Sequence, residues 1–294
     1  MNEASITPSA PVGRRVLFLG AGNMGGAVLA AALGSGVLDS DRVAVCDQAA
    51  ADRFGTRVAC FDGSAQAASW LFAGGLGRVP LLVLGVKPQV LVEPGGVAET
   101  WRPLLAAAPA AAASMLAGTP STVIRRVLSP AAGVLRFMPN TPAAIGAGCT
   151  AVASDADVVS EIRDDLLRVL RASGTVFEMP EDRLDAFTAV AGSGPAYVFY
   201  LAEAMQAAAR DLDLPDAHGI VRATVLGSAR LLASTAESPR ELRSRVTSRR
   251  GTTQAATDVL DERLIHDAFV DAIRRARARA TELANEAGGT PPSS

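Results

Sequence analysis

Hydrophobic positions follow two rhythms along this chain. From 16 to 178, short apolar runs alternate with amphipathic stretches. Val16-Leu17-Phe18-Leu19 is unbroken apolar sequence, and 42–46 and 81–86 are similar; 133–138, 150–152 and 174–178 are further strand candidates. Runs of this length, bounded by turn residues, predict buried strands. Between them, 27–33, 65–73, 119–128 and 157–172 read as helices. Strand–helix alternation predicts a parallel sheet with helices on both faces and right-handed crossovers, an α/β doubly wound sheet of Rossmann type. Such sheets bind ligands at the carboxyl ends of their strands.

After about Met179 the strand signals stop. Segments 184–190, 195–211, 216–234, 239–247 and 252–287 all predict helix. In the last, Ile265, Phe269, Ile273, Ala276, Ala280 and Leu283 recur at helical spacing, while Arg274, Arg275, Arg277 and Arg279 face elsewhere. A boundary near Pro180 therefore separates residues 14–179, an α/β domain, from 180–294, an all-α domain whose apolar stripes suit burial against a second subunit. Residues 1–13 are polar and Pro/Ser-containing and predict a disordered tail; 288–294 form a second loose end.

Length and charge narrow the classes. A chain of 294 residues can bury two cores. Its net charge of −2 offers no basic field for nucleic acid. The most monotonous apolar stretch, 104–113, contains Pro109 and mainly small side chains, so no membrane span is predicted. No secretory signal is visible, and Cys46, Cys60 and Cys149 are odd in number and lack metal-ligand spacing. These features predict a cytoplasmic protein without a metal site. His218 and His266 lack metal-site neighbours, and Asp164–Asp165 lies in a charged helical stretch and reads as a solvated face.

The first candidate site is Gly20-Ala21-Gly22-Asn23-Met24-Gly25, between the first predicted strand and its helix. Glycines there let the backbone approach a pyrophosphate, and the helix N-terminus supplies free N–H groups and the positive end of its dipole. Asp47 follows the second strand, where a carboxylate either accepts ribose hydroxyls, favouring NAD, or simply forms a turn; Arg53 lies nearby. Gly85-Val86-Lys87-Pro88-Gln89 ends the third predicted strand. Pro88 keeps Lys87 extended, facing a coenzyme or solvent. Arg136-Phe137-Met138-Pro139-Asn140-Thr141-Pro142 is stiffened by prolines and suits either a pocket wall or a connector. Ala191-Gly192-Ser193-Gly194-Pro195-Ala196-Tyr197 opens a helix. Arg245-Val246-Thr247-Ser248-Arg249-Arg250-Gly251-Thr252-Thr253 joins two helices with hydroxyl side chains and a helix start, suited to a carboxylate or to an ordinary turn.

Together with Ser114-Met115-Leu116-Ala117-Gly118, these segments resemble pyrroline-5-carboxylate reductases in order and spacing, from Val16 to about Leu283. The resemblance implies NADPH- or NADH-dependent reduction of (S)-1-pyrroline-5-carboxylate, a cyclic imine carboxylate, to L-proline. It also implies a helical dimerisation domain, a site at the dimer interface, and homodimers or rings of dimers. By resemblance, Gly20, Gly22, Asn23, Met24 and Gly25 hold the pyrophosphate, and Val86, Lys87 and Pro88 line the nicotinamide ribose. Asp47 and Asn140 complete the coenzyme set. Ser248, Gly251, Thr252 and Thr253 bind substrate, with Thr253 at the ring nitrogen as the catalytic candidate. The family's usual turn reads Ser-Pro-Gly-Gly-Thr-Thr, and Arg249 and Arg250 replace its Pro and first Gly. If that glycine serves positive φ, Arg250 costs roughly 1 kcal/mol or more; alternatively it adds charge beside the carboxylate. Two other readings share this architecture. A 3-hydroxy-acid dehydrogenase generally needs a lysine in its helical domain, and the chain has none after Lys87. A non-catalytic coenzyme-binding protein is supported only by Arg249 and Arg250.

Overall fold

The computed structural model describes residues 10–73 and 77–288. One compact unit takes the chain from residue 10 to Ser193 together with residues 277–288; the other is Gly194–Ala276.

The first unit is built on eight strands: β1 (Val16–Leu19), β2 (Val43–Cys46), β3 (Ala59–Phe61), β4 (Leu81–Leu84), β5 (Ala111–Ser114), β6 (Val134–Met138), β7 (Gly148–Ser154) and β8 (Gly174–Glu178). Their order is β3-β2-β1-β4-β5-β6-β7-β8, a doubly wound arrangement extended at one edge. Helices α1 (Asn23–Gly34), α2 (Ala50–Phe54), α3 (Ser64–Phe72), α4 (Pro88–Val92), α5 (Val97–Ala107), α6 (Ser121–Leu128) and α7 (Ser160–Arg171) lie along the crossovers. Because side chains alternate along a strand, Phe18, Val45, Val83 and Phe137 join one core with Val28, Leu29, Leu166 and Leu170. Leu17, Leu19, Leu82 and Leu84 join the other with Leu71, Trp101, Leu105 and Ile124.

The sheet and the chain leading into it depart from the sequence expectations in three ways. Strands β3 and β5 were not foreseen: β3 has three residues, and β5 is Ala-Ala-Ala-Ser, with little β-branched character. β7 runs antiparallel to β6, because the connection between them, built on the 3-10 turn Thr141–Ile145, is too short for a parallel crossover. The expected first tail reaches into structure: residues 1–9 lie outside the described residues, but Val12 is fully buried and its N–H bonds Val37 O at 2.9 Å.

Two polar clusters tie this unit together. Arg14 Nε donates to Asp165 Oδ2 at 2.7 Å, with the two side chains 1% and 7% exposed. Asp165 is thus buried on α7, correcting its reading as part of a solvated face. Glu181, just past β8, accepts from Ser121 N at 2.7 Å, Ser121 Oγ at 2.6 Å and Arg136 Nη1 at 2.8 Å. Burial pushes the Glu181 carboxyl up, but the Ser121 and Arg136 donors outweigh it and hold its pKa below the ordinary value. Helix α8 (Leu184–Phe187) and a π-helical turn, Thr188–Gly192, follow. Leu184 packs with Ala151 and Ala153 of β7.

The second unit is helical: α9 (Gly194–Asp211), α10 (Ala217–Ala233), α11 (Pro239–Arg245), α12 (Thr252–Glu262) and the first turns of α13 (Ile265–Gly288). Asp216 caps α10, and Ser238 with Glu241 forms a capping box on α11. The expected single helix over 252–287 divides in two, broken where Leu264 takes a φ of 53°. Apolar residues here are exposed, among them Phe199, Tyr200, Leu226, Leu231, Leu260 and Phe269. So broad an apolar surface marks an interaction face. Among the described residues, no helix is long and apolar enough to cross a membrane.

Candidate active site

The glycine turn sits where β1 ends and α1 begins. Gly20 has a φ of 82°, and a Cβ on it would lie 2.9 Å from Gly85 C and Val86 N. That crowding closes the carboxyl ends of β1 and β4 on one another and excludes a side chain. Gly22 differs: a Cβ there would meet nothing within 4 Å. It precedes α1, whose N-terminus carries no side-chain cap, so the first N–H groups of the helix face an open approach. A Cβ on Gly25 would come 3.0 Å from Gly20 O and 3.7 Å from Met115 Cε. Met115, just past β5, thus belongs to this neighbourhood; its segment was singled out in the sequence only by resemblance.

Asp47 follows β2 and is half-buried. Its Oδ2 accepts Ala21 N–H at 2.8 Å and its Oδ1 accepts Ala49 N–H at 3.0 Å. Arg53, on α2, donates from Nη1 to Ala21 O at 2.9 Å. Lys87 takes the extended conformation Pro88 imposes (φ −70°, ψ 147°) and is exposed immediately before α4. Asn140 is only 6% exposed. Its Nδ2 donates to Ala191 O at 3.0 Å and its Oδ1 accepts Cys149 N–H at 2.9 Å, so its amide holds the framework behind the 3-10 turn that packs beside α1. The residues at this edge fit a dinucleotide: an open glycine, an uncapped helix N-terminus and an oriented carboxylate on the adjacent strand.

The hydroxyl turn lies in the helical unit. Gly251 precedes α12, which has no side-chain cap, and Gly251 N–H bonds Ser248 O at 3.0 Å. A Cβ at 251 would collide with Ser248 Oγ. Thr252 and Thr253 open α12, so their N–H groups belong to its first turn. Arg250 adopts a φ of 60°, and its N–H bonds Gln254 Oε1 at 2.9 Å. The position is therefore the glycine-favouring one, and Arg250→Gly is expected to raise stability by up to about 1 kcal/mol, the relieved strain being partly offset by unfolded-chain entropy. Thermal unfolding beside the parent measures this. If the Arg250 charge serves the substrate, the same variant raises KM for the imine carboxylate; an unchanged KM removes the charge from recognition.

Sheet order, glycine turn and helix terminus together define a Rossmann-type dinucleotide-binding protein with a helical second domain. A family model described as pyrroline-5-carboxylate reductase dimerisation matches residues 181–283. The chain is similar to the pyrroline-5-carboxylate reductase of Synechocystis sp., 38% identical over 207 residues, covering 69% of this chain and 74% of the relative. It is similar to that of Escherichia coli K12, 31% identical over 279 residues, covering 92% and 98%. The structure of a pyrroline-5-carboxylate reductase from Coxiella burnetii superposes with a TM-score of 0.79 at 31% identity, covering 92% of this chain and 98% of that one. The chain belongs to the pyrroline-5-carboxylate reductase family.

Proposed function

We propose that this protein reduces (S)-1-pyrroline-5-carboxylate to L-proline, the closing step of proline biosynthesis, using NADPH or NADH. The observation that carries the reading is the glycine turn with an open Gly22 at an uncapped helix N-terminus, in a chain of this family. The coenzyme supplies the hydride; the protein supplies position and charge. The α1 terminus, with Gly20, Gly22, Asn23, Met24 and Gly25, holds the pyrophosphate. Val86, Lys87 and Pro88 line the nicotinamide ribose, and Asn140 stiffens the wall behind it.

Ser248, Gly251 and Thr252 bind the substrate carboxylate through the first N–H groups of α12, whose dipole favours an anion. Thr253 hydrogen-bonds the imine nitrogen, directly or through a proton relay, which makes the imine carbon a better hydride acceptor. The chain has no lysine after Lys87, which speaks against the related 3-hydroxy-acid chemistry. The exposed apolar face of the helical unit and its dimerisation-family match support a homodimer, with rings of dimers as the larger assembly. A substrate domain beginning near Pro180 and a cytoplasmic setting belong to the same reading.

The test mixes purified protein, pyrroline-5-carboxylate and either reduced coenzyme and follows loss of nicotinamide absorbance. Turnover is expected with at least one coenzyme; none with both overturns the reading. Thr253→Ala is expected to lower kcat by roughly 10²-fold or more, and undiminished kcat removes Thr253 from the mechanism.

A further inference from the structure

We propose that the adenosine end of this coenzyme site selects NADH over NADPH, with Asp47 as the specificity-determining residue and Asp62 as a second repelling charge. The inference rests on the nicotinamide-dependent reading above. A carboxylate offers about four lone-pair directions. On Asp47 two are taken by Ala21 N–H and Ala49 N–H, which fix its orientation and leave two. The vicinal hydroxyls of an unmodified adenosine ribose supply two donors for them. A 2′-phosphate supplies no donor in its ionised form and carries roughly −1.5 to −2 charge at neutral pH. Asp47 cannot swing away from that charge without releasing Ala21, a residue of the glycine turn. The discrimination is therefore built in as repulsion as well as attraction.

Asp62 follows β3 as Asp47 follows β2. The register pairs Cys46 with Phe61, and Asp47 N–H bonds Phe61 O at 3.2 Å, so the two strand ends lie side by side. Both carboxylates are felt by the thiols there. Burial first, then the Asp47 and Asp62 charges, push the Cys46 thiol up, and the same causes, with Asp62 ahead of Asp47, act on Cys60. Two carboxylates thus stand side by side at the edge that would receive a 2′-phosphate.

Arg53 is a cation on α2 that shares Ala21 with Asp47: Asp47 accepts its N–H and Arg53 donates to its carbonyl. Its guanidinium donates to Ala21 O and lies 2.8 Å from where a Cβ on Gly26 would be. That places its charge against the glycine turn and the first turn of α1, and we assign it to the pyrophosphate common to both coenzymes.

Direct binding of NADH and NADPH to the full-length protein, without substrate and read by nicotinamide fluorescence, tests the proposal. NADH is expected to bind about tenfold tighter or more. Asp62→Asn, which leaves the glycine turn untouched, is expected to tighten NADPH more than NADH. Asp47→Ser is expected to narrow or reverse the preference, with thermal unfolding confirming a folded variant. Arg53→Ala is expected to weaken both coenzymes alike. Equal or tighter binding of NADPH to the parent overturns the proposal. So does a preference unmoved in both acidic variants, or an Arg53→Ala loss confined to NADPH. Binding of neither coenzyme overturns the nicotinamide reading itself, and this inference with it.

Discussion

Gly22→Ala is expected to lower folding stability by no more than about 1 kcal/mol while weakening binding of either coenzyme roughly ten- to a hundredfold, or about 1.4–2.7 kcal/mol. The two halves of this expectation have separate causes. In the protein alone the added methyl meets no atom within 4 Å; Gly22 is the N-cap of α1, with φ −59° and ψ −161°, where alanine is modestly less favourable than glycine. Folding therefore changes little. The same methyl would stand over the uncapped start of α1, where N–H groups and helix dipole act on a phosphate only at short range. Gly20→Ala is the contrasting case: φ is 82° and the Cβ would lie 2.9 Å from the backbone of Gly85 and Val86, so folding and binding fall together. Thermal unfolding and a fluorescence titration on the two variants separate the effects. Unimpaired binding by Gly22→Ala would mean that the turn does not carry the pyrophosphate.

The contrast between these glycines also shows what a single sequence discloses. The glycine spacing located the turn, but nothing in it distinguished a glycine crowded by β4 from one open to a ligand, because Gly85 lies 65 positions from Gly20 along the chain. β1 was legible because four consecutive apolar residues must be buried on both faces of a sheet. β5 was not, since an alanine run fits helix at least as well as strand, and its partners β4 and β6 decide the matter. Leu264 broke the last helix at a residue with no Gly or Pro to announce it. Among the candidate site residues, Lys87 was legible through Pro88, a purely local constraint. Asn140 was not: its amide bonds Ala191 and Cys149, partners that only the folded chain brings near. The unusual Arg250 was legible as a departure from glycine, and its φ of 60° supplies the physical reason.

Asp165→Ala carries the largest expected loss of stability, about 3–5 kcal/mol. By composition the residue looks ordinary, one acid among the charges of α7. Its partner Arg14 stands 151 residues away, two positions before β1. Arg14 Nη1 is already committed to Val79 O at 2.5 Å, and Nη2 is buried without a partner. Removing the carboxylate therefore leaves a cation inside the protein with one backbone carbonyl as compensation, while Arg168, near Asp165 at 3.4 Å, adds a like charge. An unpaired buried ion costs far more than the net worth of the pair it came from. At roughly 2–4 °C per kcal/mol for a chain of this size, the unfolding midpoint should fall by roughly 6–20 °C. Replacing both members, as Arg14→Met with Asp165→Leu, should recover most of the loss, because no charge is then stranded. A double variant as unstable as Asp165→Ala would instead place the cost in the shape of the site. Since Arg14 adjoins β1, which carries the glycine turn at its other end, coenzyme titration of the folded fraction offers a second readout. Unchanged affinity there would confine the pair to stability and leave the carboxyl ends of the strands as the functional edge of the sheet.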